Sequence, residues 1–228
     1  MTQLFNRIVW SALTSRQQGF ARSNSQAVRF DPEISPFAAS KNNSPDALQA
    51  LADLIGPGDD YVYLLQKETI SLPPGLEAEF SALGVLMTEQ APSTPQSDGP
   101  DIRPLVASDI PEMVALAELT KPGPFKHRTP ELGTFWGVKI DGRLAAMAGT
   151  RLNLNGFTEV SGICTHPDFQ GRGLATSLSR HVASEIRELG DTPFLHAFAD
   201  NHGAIALYRK LGFEIWSEVN VAKVRRRT

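Results

Sequence analysis

Residues 170–175 read Gln-Gly-Arg-Gly-Leu-Ala and form a glycine-rich junction between two patterned segments. The junction follows a β-like run over 157–165 and opens an amphipathic stretch that extends to Leu189. Unpaired backbone N–H groups at the start of a helix suit a phosphate group. Two glycines let a ligand approach the main chain, and Arg172 adds a positive charge. The pattern indicates an anion-binding loop, and an ordinary glycine turn is the alternative.

A second segment places an asparagine and a tyrosine at helical spacing. It reads Asn201-x-x-Ala204-x-x-x-Tyr208-x-x-x-Gly212-Phe213. The pair 200–201 is suited to cap a helix over 204–211, which Gly212 would end. A tyrosine in such a position can act as a general acid through its hydroxyl. The alternative is a core aromatic residue whose hydroxyl reaches the surface.

The elements that must position these motifs alternate between strand and helix. The helix after the junction is predicted to end near Gly190 and Pro193, before a short buried strand over 194–199. A final strand or strand pair is predicted over 213–224. The predicted buried stripe of the first helix consists of Leu174, Leu178, Val182, Ile186 and Leu189. The residues off this stripe, expected to face water, are Arg180, Arg187 and Glu188.

In this order, the two motifs resemble those of the GNAT N-acetyltransferases. The resemblance covers about residues 101–228 and is greatest to the FR-type branch of predicted acyltransferases. It implies an α+β fold, with a GNAT-like mixed twisted sheet flanked by helices. It also implies an acyl-CoA-dependent enzyme that moves an acetyl group from acetyl-CoA to a primary amine by direct attack. The acceptor would be a small molecule, an amino acid or a peptide, and a non-catalytic acyl-CoA sensor or interaction module is the alternative.

The resemblance implies how acetyl-CoA, the co-substrate, would be held. The pyrophosphate would lie on the loop 170–175, with a helix starting at Gly171 directed at it. Residues 163–165 would pair with the pantetheine arm where their strand splays from its neighbour, and a backbone N–H near Ile163 would polarise the thioester carbonyl. The implied binding residues are Ile163, Cys164, Thr165, Gln170, Gly171, Arg172, Gly173, Leu174, Ala175, Thr176, Asn201 and Tyr208.

Two residues are predicted to be catalytic. The resemblance gives Tyr208 the role of general acid toward the leaving thiolate. Glu159 is the candidate general base, because histone-type members of the family place a catalytic glutamate at this spacing from the loop. A carboxylate among apolar strands is expected to have a raised pKa. A glutamate that orients substrate or faces solvent is the alternative, and His166 and His196 are further candidates for the base.

Cys164 is the single cysteine of the chain. We expect its thiol to be a packing group on a central strand, because direct transfer needs no covalent enzyme intermediate. One cysteine excludes an internal disulfide and favours a reducing compartment, so the cytoplasm is expected. The histidines show no metal-ligand spacing, and no metal is predicted.

The remainder of the 101–228 part supplies a helix and a hairpin. Asp109, three residues before Glu112, is expected to cap a helix that starts near Pro111. The strands 134–140 and 143–152 are predicted to form a hairpin around an Asp-Gly turn. The loop 121–133 between these elements would cover the acceptor site, and Phe125, Lys126, His127 and Arg128 are its candidate contacts.

The first ninety residues are predicted to form a smaller, non-catalytic N-terminal α/β domain over 1–90, joined by a linker over 91–100. A helix over 46–54 and strands over 61–65 and 80–89 indicate this domain, and a degenerate half of the GNAT fold is an open alternative. Residues 1–30 contain several arginines and no acidic residue, as in a mitochondrial transit peptide. The alternative is a folded helix whose inward residues are Leu4, Ile8, Trp10 and Leu13.

Composition sets the remaining expectations. The chain has 228 residues, of which 41% are apolar, and a net charge of −3. This charge argues against general nucleic-acid binding, and no stretch is long and apolar enough to span a membrane. The resemblance implies a small-molecule or peptide amine as the partner, and the monomer and the homodimer are both open.

Overall fold

The computed structural model describes residues 3–56, 61–93 and 99–227. Within these residues, eleven strands form one mixed sheet and five α-helices pack against it. The elements of the first part of the chain are α1 (Ile8–Leu13), β1 (Ala21–Ser23), β2 (Ala27–Phe30), β3 (Phe37–Ser40), α2 (Pro45–Leu54), β4 (Val62–Gln66) and β5 (Leu76–Glu89). Those of the second part are β6 (Arg103–Pro104), α3 (Ile110–Thr120), β7 (Phe135–Ile140), β8 (Arg143–Leu154), β9 (Phe157–Thr165), α4 (Leu174–Glu188), β10 (Thr192–Phe198), α5 (His202–Lys210) and β11 (Phe213–Arg226).

The sheet combines strands from both parts of the chain. Its order is β1-β2-β3-β4-β11-β5-β10-β9-β8-β7-β6. The strand β5 lies between β10 and β11 and pairs antiparallel with both, and β4 pairs with the far edge of β11. The two predicted domains therefore share one sheet, and the boundary between them stays a prediction. The middle of the predicted linker, 94–98, lies outside the described residues.

The two faces of the sheet are covered by different helices. On β10, Phe194 packs in the same buried cluster as α1, whereas Leu195 packs with α4 and α5. Neighbouring residues of a strand point to opposite faces, so these contacts define an α1 face and an α4–α5 face. On the α1 face, Ile8 and Leu13 are buried, which confirms the folded-helix alternative for the N-terminal segment.

The predicted hairpin is formed by β7 and β8. Its turn residues Asp141 and Gly142 have φ values of 51° and 76°, the left-handed conformation that an Asp-Gly turn provides. Asp109 is the N-cap residue of α3, as predicted, but its side chain makes no capping hydrogen bond to this helix. A 3-10 turn over Ala107–Asp109 precedes α3, and the Asp109 carboxylate accepts from the backbone N–H of Val106 and pairs with Lys139. The carboxylate thus closes the preceding turn and joins it to β7.

Three predictions about the exterior of α4 are wrong. Leu189 is 81% exposed, because the helix ends one residue earlier and Leu189 is its C-cap. Arg187 binds both carboxylate oxygens of Glu89 at 2.7 Å, and Arg180 donates to Ser93. Both arginines therefore join α4 to the end of β5 and the segment after it.

Gly212 lies in the turn after α5, at the point where residues 90–91, which follow β5, approach this turn closely. The backbone N–H groups of Gln90 and Ala91 lie 2.9 and 3.2 Å from the Gly212 carbonyl oxygen. The residue has a φ of +89°, and a Cβ at this position would lie 1.6 Å from the Ala91 carbonyl oxygen. The Gly-Phe end of the second motif is therefore required by packing.

Among the residues that the structure describes, no helix has the length and apolar character that crossing a membrane requires.

Candidate active site

The site is built where β9 and β10 separate. They pair in parallel only from Phe157–Glu159 to Thr192–Phe194, after which β9 continues beside β8 and β10 beside β5. The predicted splay is thus present, and the backbone of 161–165 has a free edge toward the gap. A cavity of about 1550 Å³ occupies this gap and is lined by both strands, by the loop 169–173, and by residues of α4 and α5.

The glycine-rich loop forms one end of the cavity. Gly171 and Gly173 have φ values of +77° and +74°, which L side chains rarely adopt. The helix α4 begins at Leu174, later than the expected start at Gly171, with Gly173 as its N-cap. Within the described part of the chain, the six consecutive backbone N–H groups of 171–176 have no protein acceptor, and the first helical bond is donated by Ser177. These groups and the dipole of α4 make the loop suitable for an anion.

Arg172 and Phe169 complete the surface beside the loop. The Arg172 guanidinium lies 5.2 Å from the centroid of the Phe169 ring, and Arg143 lies 5.5 Å from it. Both cations are exposed, so they can approach a phosphate without the cost of burying a charge. The predicted contribution of Arg172 to an anion site is therefore compatible with its position.

The second motif lies on the α4–α5 face of the cavity. Asn201 caps α5, since its Oδ1 accepts from the Ala204 backbone N–H at 3.1 Å. One to two turns later, Tyr208 is 9% exposed, packs against Phe213 and lines the cavity. Burial raises the pKa of Tyr208 to about 12. Its hydroxyl is therefore protonated at neutral pH and available as a donor.

Glu159 is 1% exposed at the point where β9 and β10 separate. Arg151 donates to both carboxylate oxygens, at 2.9 and 2.7 Å, and the Leu152 backbone N–H lies 3.3 Å from Oε2. Burial opposes ionisation, but the charge of Arg151 and the hydrogen bonds from His196 and Arg151 outweigh it and lower the pKa of Glu159 to about 2. The predicted raised pKa is wrong, because apolar neighbours were expected where a cation lies.

The two candidate histidines have different environments. His166 lies in the turn after β9, where its Nδ1 accepts from the Asp168 backbone N–H at 3.2 Å and its Nε2 lies 3.2 Å from Arg143. It does not line the cavity. His196 does, and its Nδ1 lies 2.7 Å from Glu159 Oε1. Of the two, His196 is the one that the fold brings to the site.

The thiol of Cys164 is buried beside α3. Burial raises the pKa of this thiol to about 11, against smaller opposing effects of hydrogen bonds from Thr120 and the Met147 backbone. It is therefore a neutral packing group, as expected. Among the described residues, no cluster of three or more His, Cys, Asp or Glu side chains is arranged to hold a metal ion.

The far wall of the cavity comes from the N-terminal part of the chain, as the sequence led us to expect, but through aromatic residues that the sequence did not single out. Phe37, at the start of β3, and Tyr63, on β4, line it together with Tyr61, and their rings contact one another. The Arg151 guanidinium lies 4.8 Å from the centroid of the Phe37 ring. Of the loop expected to cover the acceptor, 121–125 line the cavity, including Phe125, whereas 126–128 do not.

Comparison with known proteins agrees with this geometry. The family model described as FR47-like protein matches residues 137–221. A solved protein of Novosphingobium aromaticivorans, named as an acetyltransferase of the GNAT family, is 38% identical over 98% of both chains, with a TM-score of 0.91. The chain belongs to the GNAT N-acetyltransferase family. A GCN5-related N-acetyltransferase from Kribbella flavida, 17% identical over all of this chain, has the same fold with a TM-score of 0.69.

Curated GNAT relatives match only a part of this chain. The [ribosomal protein bS18]-alanine N-acetyltransferase of Salmonella typhimurium is 41% identical over 90 residues, which are 39% of this chain and 56% of that protein. The mycothiol acetyltransferase of Mycolicibacterium smegmatis is 35% identical over 80 residues, 33% of this chain and 27% of that protein. The chain thus matches about half the length, or less, of these relatives.

Proposed function

We propose that this protein transfers an acetyl group from acetyl-CoA to the primary amine of a small molecule, an amino acid or a peptide. The observation that carries the proposal is the row of free backbone N–H groups over 171–176, which opens on the cavity between the separated strands. Such a row suits the pyrophosphate of coenzyme A. The cavity continues past the free edge of β9 to the aromatic wall, so it has room for a donor and an acceptor.

Backbone groups and short side chains form the part of the cavity that would bind the acetyl donor, acetyl-CoA. We propose that 171–176 bind the pyrophosphate, with Gln170 and the Thr176 hydroxyl beside it. The free edge of 163–165 would pair with the pantetheine amides, and a backbone N–H near Ile163 would polarise the thioester carbonyl. Asn201 Nδ2 has no hydrogen-bond partner among the described residues and is assigned to the same arm.

Tyr208 is proposed as the general acid. A phenol with a pKa of about 12 is protonated at neutral pH, so its hydroxyl can donate a hydrogen bond and then a proton to the thiolate that forms when the C–S bond breaks. Glu159 serves the reaction better as a fixed anion than as a proton acceptor. At neutral pH, a carboxylate whose pKa is lowered to about 2 is ionised and carries no proton to exchange.

The kind of acceptor that we propose follows from the aromatic wall of the cavity, which lies opposite the proposed acetyl-CoA site. An amine on an apolar or aromatic body fits the rings of Phe37 and Tyr63, with the amine toward the strand gap. The relatives named above act on a ribosomal-protein alanine and in mycothiol acetylation, so both peptide and small-molecule acceptors belong in the test. We keep the cytoplasm as the proposed compartment, with the monomer and the homodimer as alternatives.

The test combines binding with turnover. Calorimetry with acetyl-CoA is expected to give a single site per chain. Free CoA released in the presence of amino acids, diamines, aryl-alkyl amines and peptides with N-terminal alanine then reports transfer, and mass spectrometry identifies the acetylated product. Binding without CoA release from any amine would support the sensor alternative, and the absence of acetyl-CoA binding would refute the proposal altogether.

A further inference from the structure

The His196 ring has one nitrogen bound and the other free. Its Nδ1 lies 2.7 Å from Glu159 Oε1. Its Nε2 is buried and has no hydrogen-bond partner among the described residues, although the side chain, 10% exposed, lines the cavity. Because Glu159 is ionised, it can only accept a hydrogen bond. In the neutral ring the proton therefore lies on Nδ1, and Nε2 carries the lone pair.

Glu159 is held in one place by other groups. The two hydrogen bonds from Arg151 and the contact from the Leu152 backbone N–H use both of its oxygens. Arg151 is itself fixed against the Phe37 ring, with its side chain 12% exposed. A carboxylate so fixed sets the orientation and the tautomer of the imidazole that it binds.

The position of His196 places it on the acceptor side of the cavity. It follows Phe194 by two residues on β10 and so shares the α1 face of the sheet, where Phe37 also packs. Tyr208 comes from α5 on the opposite face. The splayed backbone of 163–165 borders the same cavity as both. His196 and Tyr208 therefore reach the cavity from opposite faces of the sheet. The reaction needs such an arrangement, because one group removes a proton from the acceptor and the other returns a proton to the thiolate.

We propose that His196 Nε2 is the proton acceptor of the transfer reaction and that Glu159 is its positioning residue. This inference rests on the proposed acetyl transfer. His196 takes one proton from the acceptor ammonium, and the neutral amine nitrogen forms a bond to the acetyl carbon as the carbon–sulfur bond breaks. Tyr208 gives its proton to the thiolate and regains one from the former amine nitrogen. His196 returns its proton to water, so that one proton is released per turnover.

The other charged and titratable groups that line the cavity are Tyr61, Tyr63, Glu118, Lys121, Arg151, Cys164, Arg172, Tyr208 and Lys223, and Glu159 lies behind His196. The carboxylate of Glu159 is ionised, and the pKa values of four of the others are raised: that of Lys223 by its hydrogen bond to Glu79, and those of Tyr63, Cys164 and Tyr208 by burial. Arg151 remains charged throughout. An inflection of the rate is therefore assigned to His196 by its loss in a His196 variant, and not by exclusion of the other groups.

The kinetic experiment compares His196→Gln with His181→Gln, using an acceptor found with the amine panel. His181 on α4 is the control, because its buried Nε2 also has no hydrogen-bond partner among the described residues and lies 4.0 Å from Glu185 Oε1, but it packs on Trp136 away from the cavity. His196→Gln is expected to lower kcat about 10²-fold or more and to remove the acid-side inflection. Acetyl-CoA affinity by calorimetry should stay within about twofold, and His181→Gln should retain the wild-type pH profile.

Glu159→Gln separates positioning from proton transfer. The amide can accept or donate at Nδ1, so the variant is expected to lose about 10- to 100-fold in kcat and to shift the inflection, with the acceptor KM less affected. A variant that merely unfolded would lose acetyl-CoA binding as well. Glu159→Gln with an unshifted profile would contradict the positioning role.

Nuclear magnetic resonance gives a readout that does not depend on turnover. Long-range nitrogen–proton spectra of histidine-labelled wild-type protein should show the Nδ1–H tautomer for His196, assigned by its loss in His196→Gln. Observation of the Nε2–H tautomer, or retention of kcat within about threefold in His196→Gln, would overturn the inference while leaving acetyl transfer intact. Wild-type protein that binds acetyl-CoA and acetylates no amine would refute the proposed function and this inference together.

Discussion

Replacement of Gly173 by valine tests the donor loop most directly. Gly173 has a φ of +74°, and nothing lies within 4 Å of a Cβ built on it. A Cβ at this position therefore meets no protein atom, and we expect the valine side chain to occupy space that a phosphate on the loop would need. A β-branched residue is also strained at this φ, so stability and binding must be separated.

The expected loss of affinity follows from the groups that the valine covers. A hydrogen bond from a backbone N–H to a charged oxygen contributes about 1.5–3 kcal/mol. If the side chain excludes the phosphate from two of the N–H groups of 171–176, the loss is about 3–6 kcal/mol, or roughly 10²- to 10⁴-fold in Kd. The left-handed backbone costs about 1–2 kcal/mol of folding free energy in addition.

Gly156→Val is the matched control for strain. Gly156 has a φ of +79°, and a Cβ there also meets nothing within 4 Å, but the residue lies in the turn between β8 and β9. Urea unfolding should show similar losses of stability for both variants. Calorimetry with acetyl-CoA should show reduced affinity for Gly173→Val alone. Normal affinity in Gly173→Val, or an equal loss in Gly156→Val, would refute the assignment of the loop.

Three further variants test other parts of the structure. Tyr208→Phe should lower kcat about 10²-fold with acetyl-CoA affinity nearly unchanged, as measured by steady-state kinetics and calorimetry, and unchanged turnover across pH would remove the acid role. Arg151→Met should lower the free energy of unfolding by about 3–5 kcal/mol in urea at neutral pH, because it removes the cation that lies against the buried Glu159 carboxylate and leaves it only the contacts with His196 and the Leu152 N–H. Since Arg151 no longer lowers the pKa of Glu159, this loss should shrink as the pH falls from the ordinary glutamate pKa of 4.5 toward about 2, and a pH-independent loss would contradict it. Gly212→Ala should destabilise the protein by at least about 2 kcal/mol, since its Cβ would lie 1.6 Å from the Ala91 carbonyl oxygen, and a wild-type melting temperature would show that 90–91 do not pack there in solution.

The donor end of the site could be predicted because its determinants are local. A strand, two glycines at positive φ and a helix start lie within one short segment, and the free N–H groups follow from backbone geometry there. The cap at Asn201 and the hairpin turn at Asp141-Gly142 are equally local. Each of these predictions needed no knowledge of distant contacts.

The error about the Glu159 pKa has a different origin. Arg151 lies on β8, across the hairpin from Glu159, near pairs that join Thr150 to Val160 and Asn153 to Thr158. The turn at 155–156 would have placed this arginine beside the carboxylate if the register had been considered. The environment was inferred from the apolar neighbours along one strand, whereas the cation comes from the strand next to it.

The aromatic wall could not have been predicted from any local pattern. It reaches the cavity because β4 pairs with β11, a strand at the other end of the chain, and because β3 pairs with β4. The spacing of Phe37, Tyr61 and Tyr63 resembles that of any half-buried strand, and only the pairing turns their rings toward the strand gap. The N-terminal part of the chain is in this way a component of the site.

The separation of β9 from β10 positions both the thioester site and the proposed proton acceptor. The parallel pairing of β9 and β10 stops at Glu159 and Phe194. Beyond that pair, the separation exposes the backbone of 163–165 to the donor and brings His196, two residues further on β10, to the cavity. Glu159 belongs to the last pair, so its carboxylate can hold the imidazole while it remains buried. The splay that creates the thioester site therefore also places the proposed proton acceptor beside it, which explains why a buried carboxylate with a low pKa lies at this point.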